Sequence, residues 1–369
     1  MKKIGIVGIG NISSIYLKNI TNLYREIEVY AVCDLIRERA EKAQQDYSVP
    51  KLYDTMHELF ADPEVDIVLN LTRPYEHFGV SKAALLAGKH VYSEKPLGVS
   101  FEEGLELVQI AQEKGLRLGG APDTFMGAGI QTCRKLIDDG MIGEPIGARA
   151  AMIGHGMETW HPDPFFFYKF GGGPLFDMGP YYLTALVNLL GGVKKVTSVA
   201  RSSFSERIIT SQPHYGEKIP VEVPTYYDTI LHFDSGITAS LFTTFDVYRV
   251  PTPNKAHIEI YGSKGSLIVP DPNCFDGPIL FYRPEDGQVR EMPLLFDYPD
   301  NSRGLGLADM AKAIEENRPS RADWEQTLHV LEIMSTAKKS SDAGQTITLT
   351  THYDRRAPMK NNPMTGILD

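Results

Sequence analysis

The chain has 369 residues, 42% hydrophobic and 23% charged, the make-up of a globular protein large enough for two domains. Its 37 basic and 47 acidic residues leave a net charge of −10 with no basic run, which argues against nucleic-acid or anionic-membrane binding. No segment is apolar for long enough to cross a bilayer, and the three scattered cysteines (Cys33, Cys133, Cys274) argue against a disulfide scaffold or structural zinc and fit a reducing cytoplasm.

The opening "MKKIGIVGIG" puts two lysines before apolar residues, as a leader peptide would, but the run is short, broken by glycines and without a small-residue cleavage site. It reads as a first buried strand. Further apolar runs follow at "EVYAVCD", "VDIVLNLT", "KHVYSE" and "LRLGGAP", separated by helical patterns such as "IRERAEKAQQDY" and "HFGVSKAALLAG". Continuous apolar strands alternating with helices predict a doubly wound parallel Rossmann sheet over residues 1–122. Over 123–369 the rhythm changes to alternating runs, among them "PIGARAAMIGH", "KKVTSVARSSF" and "DTILHFDSGITASLFTTFDV". This predicts an α+β domain with a mostly antiparallel open sheet, flanked by helices at about 128–139, 177–190, 304–317 and 323–343. Tyr226, Phe233, Phe242 and Phe245 are candidates to cover that sheet's open face against helices or another subunit, with plain core packing expected for most of them.

The first strand ends in "GIVGIGNIS", a G-x-G-x-x pattern with Ser13 in the third place. Gly8 permits the tight turn, Gly10 lets the backbone approach a pyrophosphate, and Asn11 and Ile12 continue the loop into a helix N-terminus. The second strand ends at Asp34, placed to accept from ribose hydroxyls and to repel a 2′-phosphate, which favours NAD over NADP. Arg37 is a second candidate at that end. "NLTRPYEH" ends the fourth strand, so Leu71, Thr72 and Pro74 are candidates to line the cofactor path, and His77, opening the next helix, is a further candidate for a cofactor contact or a structural histidine. "SEKP" ends the fifth strand with Glu94, Lys95 and Pro96; "GGAPDTF" ends the sixth with Asp123.

At these residues the sequence resembles the Gfo/Idh/MocA oxidoreductase family, through "GIVGIGNIS", "LTRPYEHFGVSKAALLAGKHVYSEKPLG", "GGGPLFDMGPYYLTALVNLLG" and "YGSKGSL". The resemblance implies a Rossmann domain and a C-terminal open sheet that carries dimer or tetramer contacts. It further implies hydride transfer between a nicotinamide and a carbon of a sugar, cyclitol or related polyol. By the same resemblance, Lys95 points at the substrate hydroxyl, Glu94 orients the loop, and Pro96 follows a cis bond. A strand-end lysine also faces the ligand crevice of an open α/β sheet, where partial burial is expected to lower its pKa and suit it to accept or relay a proton, or to polarise a carbonyl.

Asp177, Tyr181, Thr184 and Asn188 fall on one helical face, with Pro180 tolerable only in a first turn, so Asp177 and Tyr181 are expected at the helix's positive end. Many relatives carry histidine where this chain has Tyr181; the tyrosine resembles the branch of glucose-fructose oxidoreductase and dihydrodiol dehydrogenase. Lys95 is expected to lower the phenol's pKa so that Tyr181 handles the reacting proton, with Asp177 binding a neighbouring hydroxyl. The aromatic stretch "GHGMETWHPDPFFFYKFGGGP" offers His155, Trp160, His161, Tyr168 and Lys169 as sugar contacts. No metal is expected. The family also holds enzymes that use retained NAD for transient oxidation of a glycoside, and non-catalytic sensors.

Overall fold

A computed structural model describes residues 1–250, 257–360 and 368–369. The first run, β1 (Lys2–Val7), is buried from Ile4 onward and leads through the glycine turn into α1 (Ser13–Asn22). The alternation continues through β2 (Ile27–Cys33), α2 (Arg37–Tyr47), β3 (Lys51–Leu52), α3 (Met56–Ala61), β4 (Ile67–Asn70), α4 (His77–Leu86), β5 (His90–Ser93), α5 (Phe101–Glu113) and β6 (Leu118–Gly120). The six strands form one parallel sheet in the order β3-β2-β1-β4-β5-β6. The order reverses beside β1, so the glycine turn and the ends of β4 and β5 open on one crevice, the ligand position of this architecture. β3 is only two residues long and has no apolar run to announce it.

The rest of the chain begins with α6 (Ala128–Asp138), β7 (Pro145–Ile153), α7 (Gly173–Asp177), α8 (Gly179–Leu190) and β8 (Val193–Arg201). A small ribbon, β9 (Glu206–Ile208) with β10 (Lys218–Pro220), precedes β11 (Tyr226–Phe233), β12 (Thr238–Thr244), β13 (Ile258–Gly262), β14 (Ser266–Val269), β15 (Ile279–Tyr282) and β16 (Val289–Met292). α9 (Leu305–Glu316), α10 (Trp324–Ala343) and β17 (Ile347–Thr348) complete the fold. Nine of these strands make one sheet, ordered β16-β15-β14-β13-β7-β12-β11-β8-β17, antiparallel except where β12 runs parallel to β7. β11 shows why alternation is the right signal: Tyr227, Thr229, Leu231 and Phe233 are buried while Asp228 and Ile230 face outward.

Phe233 and Phe245 lie in the core, because their side chains fall on the inner face of the pleat, while Tyr226 and Phe242 stand on the open face, edge to face at 5.0 Å. One expectation changes. The expected helix over 177–190 is two helices, broken at Met178, because Pro180 must occupy a first turn. Asp177 therefore ends α7 instead of starting α8. Ala256, which opens the apolar run "AHIEIY", lies outside the described residues. Among the described residues, no helix is long and apolar enough to cross a membrane.

Candidate active site

The glycine turn fits a dinucleotide. Gly8 sits at φ +95°, and a Cβ there would stand 2.8 Å from the Leu71 carbonyl, so only glycine serves. A Cβ on Gly10 would meet nothing within 4 Å, which leaves open space beside the exposed Asn11 and the start of α1 at Ile12 and Ser13. Ser13 Oγ donates to Gly10 O at 2.7 Å and closes the turn. Asp34 accepts from Ile9 N–H (2.6 Å) and Ile36 N–H (2.7 Å), so its carboxylate is anchored at the end of β2 where an adenosine ribose belongs. Arg37 is drawn away along α2 by Glu41 (2.7 Å) and by an ion pair with Asp54. A 2′-phosphate would have to compete with both carboxylates.

The loops after β4 and β5 are tied together from below. Asn70 Oδ1 accepts from Thr72 Oγ1 (2.6 Å) and Thr72 N–H (3.2 Å), which fixes Leu71, Thr72 and Pro74 along the crevice wall. His77, read from sequence as a cofactor contact, is instead buried under this wall. Its Nδ1 lies 2.7 Å from Pro96 O and its Nε2 3.0 Å from Thr72 O, so both ring nitrogens bridge the two loops. Burial lowers its pKa against the pull of those carbonyls. Glu94 accepts from Tyr16 Oη (2.8 Å) and from Lys95 N–H (3.0 Å), and the Lys95–Pro96 peptide is cis.

Lys95 then reaches α7. Its Nζ donates to Asp177 O (2.7 Å) and Asp177 Oδ1 (3.1 Å), and it lies 5.1 Å from the centroid of the Tyr181 ring. The break before α8 explains the contact: the exposed carbonyl at the end of α7 attracts a cation, as does the carboxylate beside it. Burial opposes the Lys95 charge, yet Asp177, Tyr181 and Glu94 outweigh it and raise the pKa above the ordinary lysine value. The expected lowering is thus reversed, and the surroundings of Lys95 favour its charged form. For Tyr181 the balance also differs from expectation: burial raises its pKa most, and Lys95 and Arg303 pull it down without cancelling that rise.

Asp123 does not reach into the crevice. It is fully buried and accepts from Gly304 N–H (2.8 Å) and Gly306 N–H (3.1 Å) at the start of α9, with burial pushing its pKa up to about 6. Tyr168 is likewise withdrawn, buried with its hydroxyl on Glu158. Glu158 in turn pairs with Arg207 (2.6 Å), whose other face meets Asp246 at 3.5 Å. This buried cluster holds the aromatic stretch to the small ribbon and to the end of β12. The remaining candidates stay nearer the surface: Trp160 is 64% exposed, Lys169 is exposed, and His161 accepts from Asp163 N–H (3.0 Å) and packs edge-on against Phe166 and Phe167. His155 stacks on Tyr248 with 3.6 Å between centroids. The stretch is strapped to the loop after β4 by Arg73–Asp163 (3.3 Å) and by Tyr75 Oη donating to Phe166 O (2.9 Å).

Sequence reading missed Arg303, Glu158, Arg207 and Asp246, because each acts through partners far away in the chain and none sits in a motif. A charged residue inside an otherwise aromatic stretch was the one available signal for Glu158. No cluster of three metal-binding side chains occurs among the described residues.

Family models match both parts of the chain. Residues 2–120 match the oxidoreductase family with an NAD-binding Rossmann fold, and residues 130–268 match the GFO/IDH/MocA C-terminal domain. Inositol 2-dehydrogenase of Salmonella typhimurium is 36% identical over 148 residues, 39% of this chain and 44% of that enzyme, so in this match the chain spans less than half of its curated relative. Trans-1,2-dihydrobenzene-1,2-diol dehydrogenase of Bos taurus is 27% identical over 321 residues, 85% of this chain and 87% of that one. A solved NAD-binding oxidoreductase from Klebsiella pneumoniae shares the fold, with a TM-score of 0.79 at 22% identity, over 95% of this chain and 99% of that one.

Proposed function

Since the chain belongs to the Gfo/Idh/MocA oxidoreductase family and carries its NAD-binding Rossmann domain, we propose that it is an NAD-dependent dehydrogenase of a sugar, cyclitol or related polyol. The observation that carries this reading is the convergence of Lys95, Asp177 and Tyr181, brought from β5, α7 and α8 to one point of the crevice. In the same proposal, residues up to about 122 hold the cofactor, and those after it bind substrate and pair subunits through the open face. A cytoplasmic setting suits its three free cysteines.

The residues that would hold the dinucleotide are the Gly8–Ile12 turn, Asp34 and the wall formed by Leu71, Thr72 and Pro74. When bound, the nicotinamide supplies the two-electron acceptor or donor at its C4. In the oxidising direction the substrate's C–H and O–H bonds break and a C=O bond forms. Two of the three Lys95 N–H groups are taken by Asp177, and the third is free for the reacting oxygen. Its charge stabilises the negative oxygen that develops there. The proton passes to Tyr181 Oη in its phenolate form, which the Lys95 charge favours, and leaves it a neutral phenol; in the reducing direction that phenol gives the proton back, while Asp177 Oδ2, which Lys95 leaves free, can accept from a neighbouring hydroxyl. His161, Trp160 and Lys169 are proposed as substrate contacts.

The test is reduced-nicotinamide absorbance of the purified protein with NAD or NADP, against inositol, trans-1,2-dihydrobenzene-1,2-diol, free aldoses and glycosides. The expected result is turnover of a polyol or sugar with NAD preferred. Preference for NADP would overturn the role of Asp34. Turnover of a glycoside without added NAD would replace net oxidation by the retained-cofactor reaction.

A further inference from the structure

The aromatic stretch is held by two sets of contacts. One joins it to the crevice wall: Asp163 meets Arg73, and the Phe166 carbonyl accepts from Tyr75, both residues of the loop after β4. Gly171 packs so closely on the loop after β5 that a Cβ there would stand 2.5 Å from Val99 Cγ1. The chain then runs directly into α7, whose Asp177 holds Lys95. The other set comes from the ribbon of β9 and β10, which grips the stretch at His155, Glu158, His161 and Tyr168. Arg207 Nε donates to Glu158 Oε1 (2.8 Å), and its Nη2 reaches both that oxygen (2.6 Å) and the His155 carbonyl. The Glu158 carbonyl accepts from Thr210 N–H (2.9 Å) and Ser211 N–H (3.1 Å). Ser211 Oγ donates to the His161 carbonyl at 2.6 Å, and Glu222 N–H, just past β10, donates to the Tyr168 carbonyl at 2.9 Å.

We propose that Arg207 and Ser211 are positioning residues for the substrate contact made by His161. This rests on the reading of His161 as a substrate contact and adds the element that sets its place. The path is short. Arg207 fixes Glu158, the residue after Met157, and the N–H groups of Trp160 and His161 return to the Met157 carbonyl at 3.2 and 2.9 Å. Ser211 then ties down the far side of the same turn through the His161 carbonyl. Arg207, Glu158, Asp246 and Ser211 are all buried, so these bonds do not compete with water. The Arg207 charge stands between the carboxylates of Glu158 and Asp246, and its planar fork lets one side chain hold Glu158 and His155 together. The His161 ring therefore takes its position from a ribbon 50 residues later in the chain.

Two variants test this. R207K keeps a cation between the two carboxylates and gives up the fork that reaches Glu158 and His155 at once. S211A removes the bond to His161 and disturbs no charge, so it carries the test should R207K fail to fold. On the polyol or sugar of the panel above that wild type turns over best, each variant is expected to raise KM about 3- to 10-fold, with kcat and the Kd for NAD within about twofold. A loss of folded protein alone would lower the apparent kcat and leave KM where it was. Hydrogen exchange in the protein without substrate reads the grip directly. The Trp160 and His161 amides are expected to exchange at least about threefold faster in both variants. Unchanged exchange in the folded variants overturns the proposal, and so does an unmoved KM where exchange is faster. A wild type that turns over nothing on the panel removes the dehydrogenase reading instead. The exchange rates then decide by themselves whether the ribbon places His161: faster exchange upholds it and unchanged exchange overturns it.

Discussion

Lys95 shows how one side chain's role is set by the balance of terms around it. A lysine buried alone would lose its proton and serve as a base. Here a carboxylate, a backbone carbonyl and an aromatic face surround the ammonium, so the charge persists, and in the proposed reaction it stabilises the reacting oxygen electrostatically. K95M keeps the stem's volume and removes the charge. Turnover is expected to fall about 100- to 1000-fold with the fold intact, read by steady-state rates and circular dichroism. A rate within a few-fold of wild type would mean that another group polarises the substrate.

At the scale of elements, the two C-terminal helices are fastened by buried carboxylates at their starts. Asp123 bonds the first N–H groups of α9, and Asp323 caps α10 by accepting from Gln326 N–H (3.2 Å). Burial pushes each pKa up to about 6. The sign follows from comparison with an unfolded aspartate near 3.9. A folded pKa above the unfolded one contributes stability that is fully present below pH ~4 and is lost as pH rises through ~6. D123N keeps an acceptor for the helix and removes the titration. The difference in melting temperature, variant minus wild type, is therefore expected to grow between pH 4 and 6 and to level off above. A difference that stays flat across that window would show that Asp123 titrates as an ordinary carboxylate.

Over the whole molecule, the nine-stranded sheet buries one face on helices and leaves the other open, with Ile230 and Val199 exposed near Tyr226 and Phe242. Exposed apolar groups clustered on one sheet face mark an association surface. As the proposed subunit contact, this face makes Phe242→Glu a direct test, since a charge there meets a desolvated partner. Light scattering is expected to show an oligomer for wild type and the mass of one chain for the variant. A wild-type protein that is already monomeric refutes the assignment.

The sequence by itself determined the strand runs, the glycine turn, Asp34, and the motif lysine and tyrosine, because each rests on local rules. Periodicity records burial, a glycine records a backbone angle, and a motif records a turn. Tertiary structure alone decided which polar groups face the crevice and which are consumed in holding it. His77, Asp123 and Tyr168 looked available in sequence and became ties between loops, while Arg303, Glu158 and Arg207 became site or scaffold residues without any motif. The physical reason is that a buried polar group must find a partner, and that partner can come from any part of the chain that the fold brings close. Lys95 on Asp177 and Asp123 under Gly304 are pairings that no spacing rule contains.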